Sequence, residues 1–140
     1  MLTPVELHGE VVQVDVEATR AAYANRQSQV CDCTHCQNVR AQFDEILTSD
    51  VLRALQSLGI DPRMPVEITD YGREDTGRIV DIEWAFLGDP ATIRDFNQRP
   101  AGLTIYSQGA PDPAFPSDTR CSIGLLLNNV QWVLAHPEPK

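Results

Sequence analysis

The segment Arg78-Ile79-Val80-Asp81-Ile82-Glu83-Trp84-Ala85-Phe86 alternates apolar and polar side chains with a period of two. This is the period of a β-strand, in which successive side chains point to opposite faces of a sheet. The pattern predicts a core-facing set, which consists of Val80, Ile82, Trp84 and Phe86. Asp81 and Glu83 are predicted to face water. A same-face acid pair also suits general acid–base catalysis, but a solvated sheet surface is the simpler interpretation.

Strand patterns recur on both sides of this segment. Downstream, residues 103–107 and 121–134 read as strands, and a change of phase at Asn128-Asn129 predicts a bulge or a tight turn. Upstream, residues 65–71 read as a strand and residues 5–14 as a hairpin that turns at His8-Gly9. A short helix is expected over residues 90–97.

Helical patterns occupy the stretch between the hairpin and residue 60. Asp15 can cap a helix that runs to about Tyr23, and a second helix is predicted over residues 34–47. A third begins after Thr48 and ends at Gly59. The chain therefore reads as one α+β domain over residues 1–140, with an N-terminal hairpin and three short helices followed by an antiparallel sheet. The hairpin is expected to join that sheet.

The charge balance bears on partners. The 140 residues carry a net charge of −9, which argues against binding to nucleic acid or to an anionic membrane and leaves a protein partner open. The first residues lack the pattern of a signal peptide, and no apolar stretch approaches the length of a membrane span. We expect a cytoplasmic protein, whose thiols stay reduced.

Three of the four cysteines lie within Cys31-Asp32-Cys33-Thr34-His35-Cys36. Thr34 with Gln37 resembles a capping box, which places Cys33 and Cys36 at the first turn of a helix. Helix N-termini favour thiolates, and three converging thiolates suit a tetrahedral zinc ion that lacks one ligand. We predict a zinc site formed by Cys31, Cys33 and Cys36. Cys121 is the preferred fourth ligand, although a lone buried cysteine in a strand explains it at least as well, and His35 is the second choice.

Two other interpretations of the cluster stay open. Cys33 and Cys36 form the C-x-x-C arrangement of a thiol–disulfide oxidoreductase, in which Cys31 would act as a resolving thiol. Alternatively, the cysteines are reduced and structural, because free cysteine is among the most buried residue types. No nucleophilic triad, phosphate loop or H-E-x-x-H motif is present. We therefore favour a non-catalytic accessory or interaction role over an enzyme.

Several stretches together resemble a family of small, uncharacterised bacterial proteins. They are Val14-Asp15-Val16-Glu17-Ala18-Thr19-Arg20-Ala21-Ala22-Tyr23, Cys31-Asp32-Cys33-Thr34-His35-Cys36-Gln37-Asn38, Leu58-Gly59-Ile60-Asp61-Pro62 and Trp132-Val133-Leu134. Such relatives carry a basic residue after the third cysteine and an aromatic residue after the asparagine. Gln37 and Val39 stand there in this chain, which weakens the idea of a fixed partner surface at the helix start. The resemblance implies a cytosolic bacterial protein and supplies neither an activity nor a fourth ligand.

Overall fold

The computed structural model describes residues 1–7, 9–26, 31–93, 97–98 and 102–139. The order of elements confirms the α+β class and the hairpin, helices and sheet in the predicted sequence. The elements are β1 (Thr3–Leu7), β2 (Glu10–Val14), α1 (Val16–Asn25), α2 (Thr34–Arg40), α3 (Phe43–Ile46), α4 (Ser49–Ser57), β3 (Glu67–Glu74), β4 (Gly77–Leu87), a 3-10 turn (Pro90–Thr92), β5 (Asn97–Gln98), β6 (Leu103–Tyr106) and β7 (Arg120–Val130).

The main sheet is antiparallel, and its described strands lie in the order β3-β4-β7-β6-β5. The alternating residues Val80, Ile82, Trp84 and Phe86 of β4 are fully buried, as predicted, and Ala85 on the other face is buried as well. Full burial of a side chain such as Phe86 contributes roughly 1.5–3 kcal/mol. Leu127 to Val130 of β7 spans the same length as Arg78 to Val80 of β4, so the predicted irregularity at Asn128-Asn129 is a β-bulge.

The predicted helix over residues 34–47 is wrong in its continuity, because the chain forms two shorter helices there. The break falls at Gln42, whose backbone leaves helical geometry with φ −112° and ψ 10°. The Gln42 side chain donates to the Asn38 carbonyl at 3.0 Å and to the Gln131 carbonyl at 2.8 Å. A long-range hydrogen bond of this kind cannot be read from local periodicity.

The capping box at Thr34 is also wrong. Cys33 is the N-cap, with extended backbone and no side-chain capping bond, and Thr34 is the first helical residue. The Gln37 amide donates to the carbonyl of Asp32 at 2.8 Å instead of returning to the N-cap N–H. The bond closes the loop that carries Cys31 and Cys33 against α2.

The early hairpin forms as predicted but does not extend the main sheet. Among the described residues, β1 and β2 form a separate two-stranded sheet. A bridge between Val14 and Gly88 connects it with the end of β4, where a Cβ on Gly88 would lie 2.4 Å from the Gln13 carbonyl oxygen. The turn residue His8 lies outside the described residues, as do residues 94–96 of the helix expected over 90–97. The described part of that segment contains the 3-10 turn and the first residue of β5, and no α-helix.

The segment that follows α4 joins the helices to the sheet. Gly59 adopts φ +85°, and the N–H groups of Gly59 and Ile60 close a Schellman motif on the carbonyls of Gln56 and Leu55. A Cβ at Gly59 would lie 2.5 Å from the Val16 carbonyl oxygen of α1, so glycine also permits close helix packing. The Pro62 carbonyl accepts the indole N–H of Trp84 at 3.0 Å.

No helix in the described part of the chain is long and apolar enough to cross a membrane.

Candidate metal centre

Cys31, Cys33 and Cys36 meet at the start of α2. Their sulfur atoms all lie within 4.8 Å of one another. Sulfurs bound tetrahedrally to zinc at about 2.3 Å lie about 3.8 Å apart, so this cluster is at most about 1 Å too wide at any pair. Cys31 and Cys33 are exposed, and rotation of their side chains can take up that difference. The three cysteines can therefore hold a metal ion.

Local contacts position the three thiols. Cys33 approaches α2 with extended backbone, and its carbonyl accepts the Gln37 N–H at 3.0 Å. Cys36 lies one turn later on the core face and is only 5% exposed. The Arg40 guanidinium donates to the Cys31 carbonyl, which folds the loop back over the helix.

The pKa values of Cys31 and Cys36 are shifted in opposite directions by their surroundings. The backbone N–H of Cys33, then the thiols of Cys33 and Cys36 and the charge of Arg40, hold the pKa of Cys31 below its ordinary value. Burial, followed by the neighbouring sulfurs, raises the pKa of Cys36 to about 12. Without metal, Cys31 is thus the first of these two to ionise. A metal that takes all three sulfurs as thiolates must displace the remaining protons, so its affinity falls with falling pH.

The two predicted candidates for a fourth ligand lie elsewhere. The His35 ring packs edge-on against Trp132, with ring centroids 6.1 Å apart. Cys121 is fully buried in β7, where its thiol faces the Thr119 carbonyl at 3.9 Å. Among the described His, Cys, Asp and Glu residues, the cluster brings together Cys31, Cys33 and Cys36 and includes neither His35 nor Cys121.

Asn38 is a supporting residue to which the sequence analysis assigned no role. Its side chain is fully buried in α2, donates to the Gln131 carbonyl at 2.8 Å and accepts the Val133 N–H at 2.8 Å. These bonds hold the segment after β7 against the helix that carries Cys36. The only signal in the sequence was the position of Asn38 within the motif of the resembling family.

A cleft of about 320 Å³ opens beside the cysteines. Cys31 and Cys36 line it together with Arg26, Arg40 and Arg63 and with residues 64–68 at the entry to β3. Arg26 follows α1, Arg40 ends α2 and Arg63 precedes β3. No pattern in the sequence points to any of the three as a site residue.

The prediction that Asp81 and Glu83 form a solvated surface is wrong for Glu83, whereas Asp81 is half-buried. Glu83 is only 8% exposed. It accepts the Tyr106 hydroxyl at 2.7 Å and the Ala110 N–H at 2.5 Å. The chain after β6 therefore covers this part of the sheet. The alternation of apolar and polar residues in β4 does not reveal such a tertiary contact. Glu83 serves as a hydrogen-bond anchor for that segment.

The carboxyl group of Asp81 should make the stability of the fold depend on pH. Burial, then the charges of Glu83 and Glu67, raises the pKa of Asp81 to about 6. A raised carboxyl pKa disfavours the ionised form in the folded state, so this contribution to stability is present below about pH 4 and is lost as pH rises through about 6. We expect Asp81→Asn to raise the free energy of unfolding by about 1 kcal/mol near pH 8, since partial exposure screens the effect. The gain should vanish towards pH 4.

Denaturant unfolding of the original protein and of Asp81→Asn between about pH 4 and pH 8 measures the difference in their free energies of unfolding. Asp118→Asn is the matched control, because Asp118 is an exposed carboxylate. A gain from Asp81→Asn that is equal at both ends of the range would contradict the assignment.

No protein-family model, no curated protein and no solved structure matches this chain, so the geometry of the cysteine cluster is what carries the functional argument.

Proposed function

We propose that this protein is a small zinc-binding domain in which Cys31, Cys33 and Cys36 are the protein ligands. The observation that supports it is the convergence of three thiols within 4.8 Å. The metal would tie the loop before α2 to the helix itself. The protein would then serve as a non-catalytic accessory or interaction protein in the bacterial cytoplasm, where thiols stay reduced.

Zinc fits this donor set better than other common metals. Thiolates are soft ligands, which select zinc, copper(I) or iron–sulfur clusters over magnesium, calcium or manganese. Iron–sulfur clusters usually require four cysteines, and the described cluster has three. Zinc imposes no preference from its d electrons and accepts a tetrahedral site with one external ligand.

Metal content and thiol reactivity test the proposal. Protein purified without added metal is expected to carry one zinc ion per chain, and Cys31 and Cys33 should resist alkylation until a chelator is added. Both are exposed, so bound metal is what would protect them. Metal-free protein that alkylates freely at both residues and takes up no added zinc would rule the proposal out.

A thiol–disulfide oxidoreductase is the second candidate, favoured by the exposure and lowered pKa of Cys31. The Cys31 thiolate would attack a substrate disulfide and release one thiol. Cys33 or Cys36 would then attack the mixed disulfide and release the second, which leaves an internal disulfide. This assigns the attacking role to Cys31, whereas the sequence suggested the pair Cys33 and Cys36.

The same measurements separate the candidates. No metal together with one reversible disulfide indicates the oxidoreductase. No metal together with four free thiols indicates the third interpretation, a structural domain with reduced cysteines.

A further inference from the structure

The cleft beside the cysteines has the dimensions of a small-ligand site. Its volume of about 320 Å³ lies at the lower end of the range for ligand pockets, roughly 300–1,000 Å³. Cys31 and Cys36 line it together with residues 64–68. A molecule in the cleft would therefore touch two of the three residues that we propose as metal ligands.

The cleft is lined by more basic than acidic side chains, although the protein as a whole is acidic. The chain has a net charge of −9, yet three arginines and one acid, Glu67, line this space. Arg26 forms part of the wall, since its side chain is 5% exposed and donates to Asp112 and to the Met64 and Pro65 carbonyls.

Arg40 and Arg63 differ from Arg26. Arg40 uses one terminal nitrogen on the Cys31 carbonyl, and Arg63 uses one on Asp44, in an ion pair whose side chains are 62% and 85% exposed. A guanidinium has five N–H donors in a planar fork that matches a carboxylate. An exposed ion pair is weak and exchanges readily, so Arg63 can leave Asp44 for an anion in the cleft. Arg40 can keep its bond to the Cys31 carbonyl and donate to the same anion through the other N–H groups of its fork.

Apolar side chains line the cleft beside these charges and the thiols. The half-buried Met64, Pro65, Val66 and Ile68 line it. Such a surface suits a short hydrocarbon body, not a fully hydrated ion. The occupant should then carry an anion at one end and a short apolar stem.

The other end of the bound molecule should carry a group that can bind the metal at its fourth coordination position. The described cluster supplies three sulfurs, and tetrahedral zinc needs a fourth ligand. We infer that the cleft binds a small thiol that carries a carboxylate, with its sulfur as the fourth zinc ligand and its carboxylate between Arg40 and Arg63. On binding, the thiol releases its proton to solvent and displaces a water ligand. This inference rests on the proposed metal site.

Cobalt-substituted protein titrated with 3-mercaptopropionate tests the inference. Cobalt(II) takes the same donors as zinc and gives sulfur-to-metal absorbance that grows with the number of thiolates. We expect that absorbance to rise by about one third, since a fourth thiolate joins three. We also expect 3-mercaptopropionate to bind about tenfold more tightly than 2-mercaptoethanol, since a charge-assisted hydrogen bond is worth about 1.5–3 kcal/mol.

Arg63→Gln should abolish most of that preference and leave the affinity for 2-mercaptoethanol unchanged. Arg63 is chosen over Arg40 because Arg40 also holds the Cys31 loop. Arg53→Gln is the matched control, since Arg53 lies on α4 with its side chain 77% exposed and is not among the residues that line the cleft. The preference should survive that substitution.

The possible failures are distinct. If cobalt does not bind at all, the metal site itself is refuted, and the inference falls with it. Three-thiolate absorbance that does not respond to 3-mercaptopropionate leaves the metal site standing and overturns the inference. Four-thiolate absorbance without added thiol, equal affinity for the two thiols, or propionate binding as tightly as 3-mercaptopropionate would each overturn it as well.

Discussion

Replacing Cys36 by alanine is expected to weaken zinc binding by more than about a hundredfold, whereas Cys121→Ala should leave zinc affinity unchanged. Loss of a group that merely orients a ligand costs about 10–100-fold, so loss of a ligand should cost more. The two residues are a matched pair, since both are buried and both have a pKa raised to about 12. They differ in that Cys36 belongs to the cluster and Cys121 does not.

Competition with a chelator of known affinity measures both zinc affinities. Thermal unfolding of the metal-free variants provides the control for folding, since each substitution removes a buried sulfur and should cost about 1–2 kcal/mol on that account. A loss of affinity in Cys121→Ala as large as in Cys36→Ala would show that Cys121 moves to the metal. Unchanged affinity in Cys36→Ala would refute the three-cysteine site.

Replacing Asp70 by alanine is expected to lower the free energy of unfolding by about 3–5 kcal/mol, the usual cost of breaking a buried ion pair from one side. Asp70 accepts the Arg78 Nε–H at 2.8 Å, and each side chain is only 3% exposed. Without Asp70, the guanidinium stays buried with the Pro139 carbonyl at 3.4 Å as its remaining described acceptor. That single contact does not replace the lost carboxylate.

Denaturant unfolding of Asp70→Ala and of the double variant Asp70→Leu with Arg78→Met checks this result. The double variant should recover most of the loss, because a well-packed apolar pair avoids the unpaired charge. Arg53→Ala provides the exposed comparison. It breaks a pair whose side chains are 77% and 66% exposed and should cost less than about 1 kcal/mol. An equal loss in the double variant would show that the ion pair is not the cause.

Acid should reduce the effect of Asp70→Ala. Burial pushes the pKa of Asp70 upward, but hydrogen bonds from Arg78 and from the Gly72 N–H outweigh it and leave the pKa below its ordinary value. A lowered carboxyl pKa stabilises the fold above the unfolded value of 3.8, and this stabilisation is lost as pH falls through the folded value. The pH dependence of this contribution to stability is opposite to that of Asp81, whose contribution is lost as pH rises.

The buried pair is connected with the cysteine cluster. Arg78 lies 5.7 Å from the centroid of the Trp132 ring, and Trp132 also makes an edge-to-face contact with His35. His35 lies between Cys33 and Cys36 in the chain. The C-terminal segment thus packs between the sheet and the helix that carries the candidate ligands, which gives His35 a packing role at the place where a ligand role was considered.

Local periodicity determined the secondary structure well wherever one pattern ran without interruption. The strand over Arg78–Phe86 and the cap at Asp15 follow from side chains within a few residues of each other. Spacing alone also brought the three cysteines together, because a C-x-C-x2-C motif at a helix start leaves little freedom to separate them.

Tertiary structure alone decided the features that depend on contacts between distant residues. Gln42 ends α2 by bonding Gln131, and Glu83 is buried because the chain after β6 crosses it. Arg63 and the entry to β3 likewise become neighbours of the cysteines through folding, whereas Arg40 lies about one turn after Cys36 on the same helix. A sequence pattern records which face of an element is apolar, and it does not record which later segment packs on that face. The α+β class and the thiol cluster were therefore legible in the sequence, whereas the covered acid, the packing of His35 and the arginine-lined cleft were not, because each is made by segments that meet only in the folded chain.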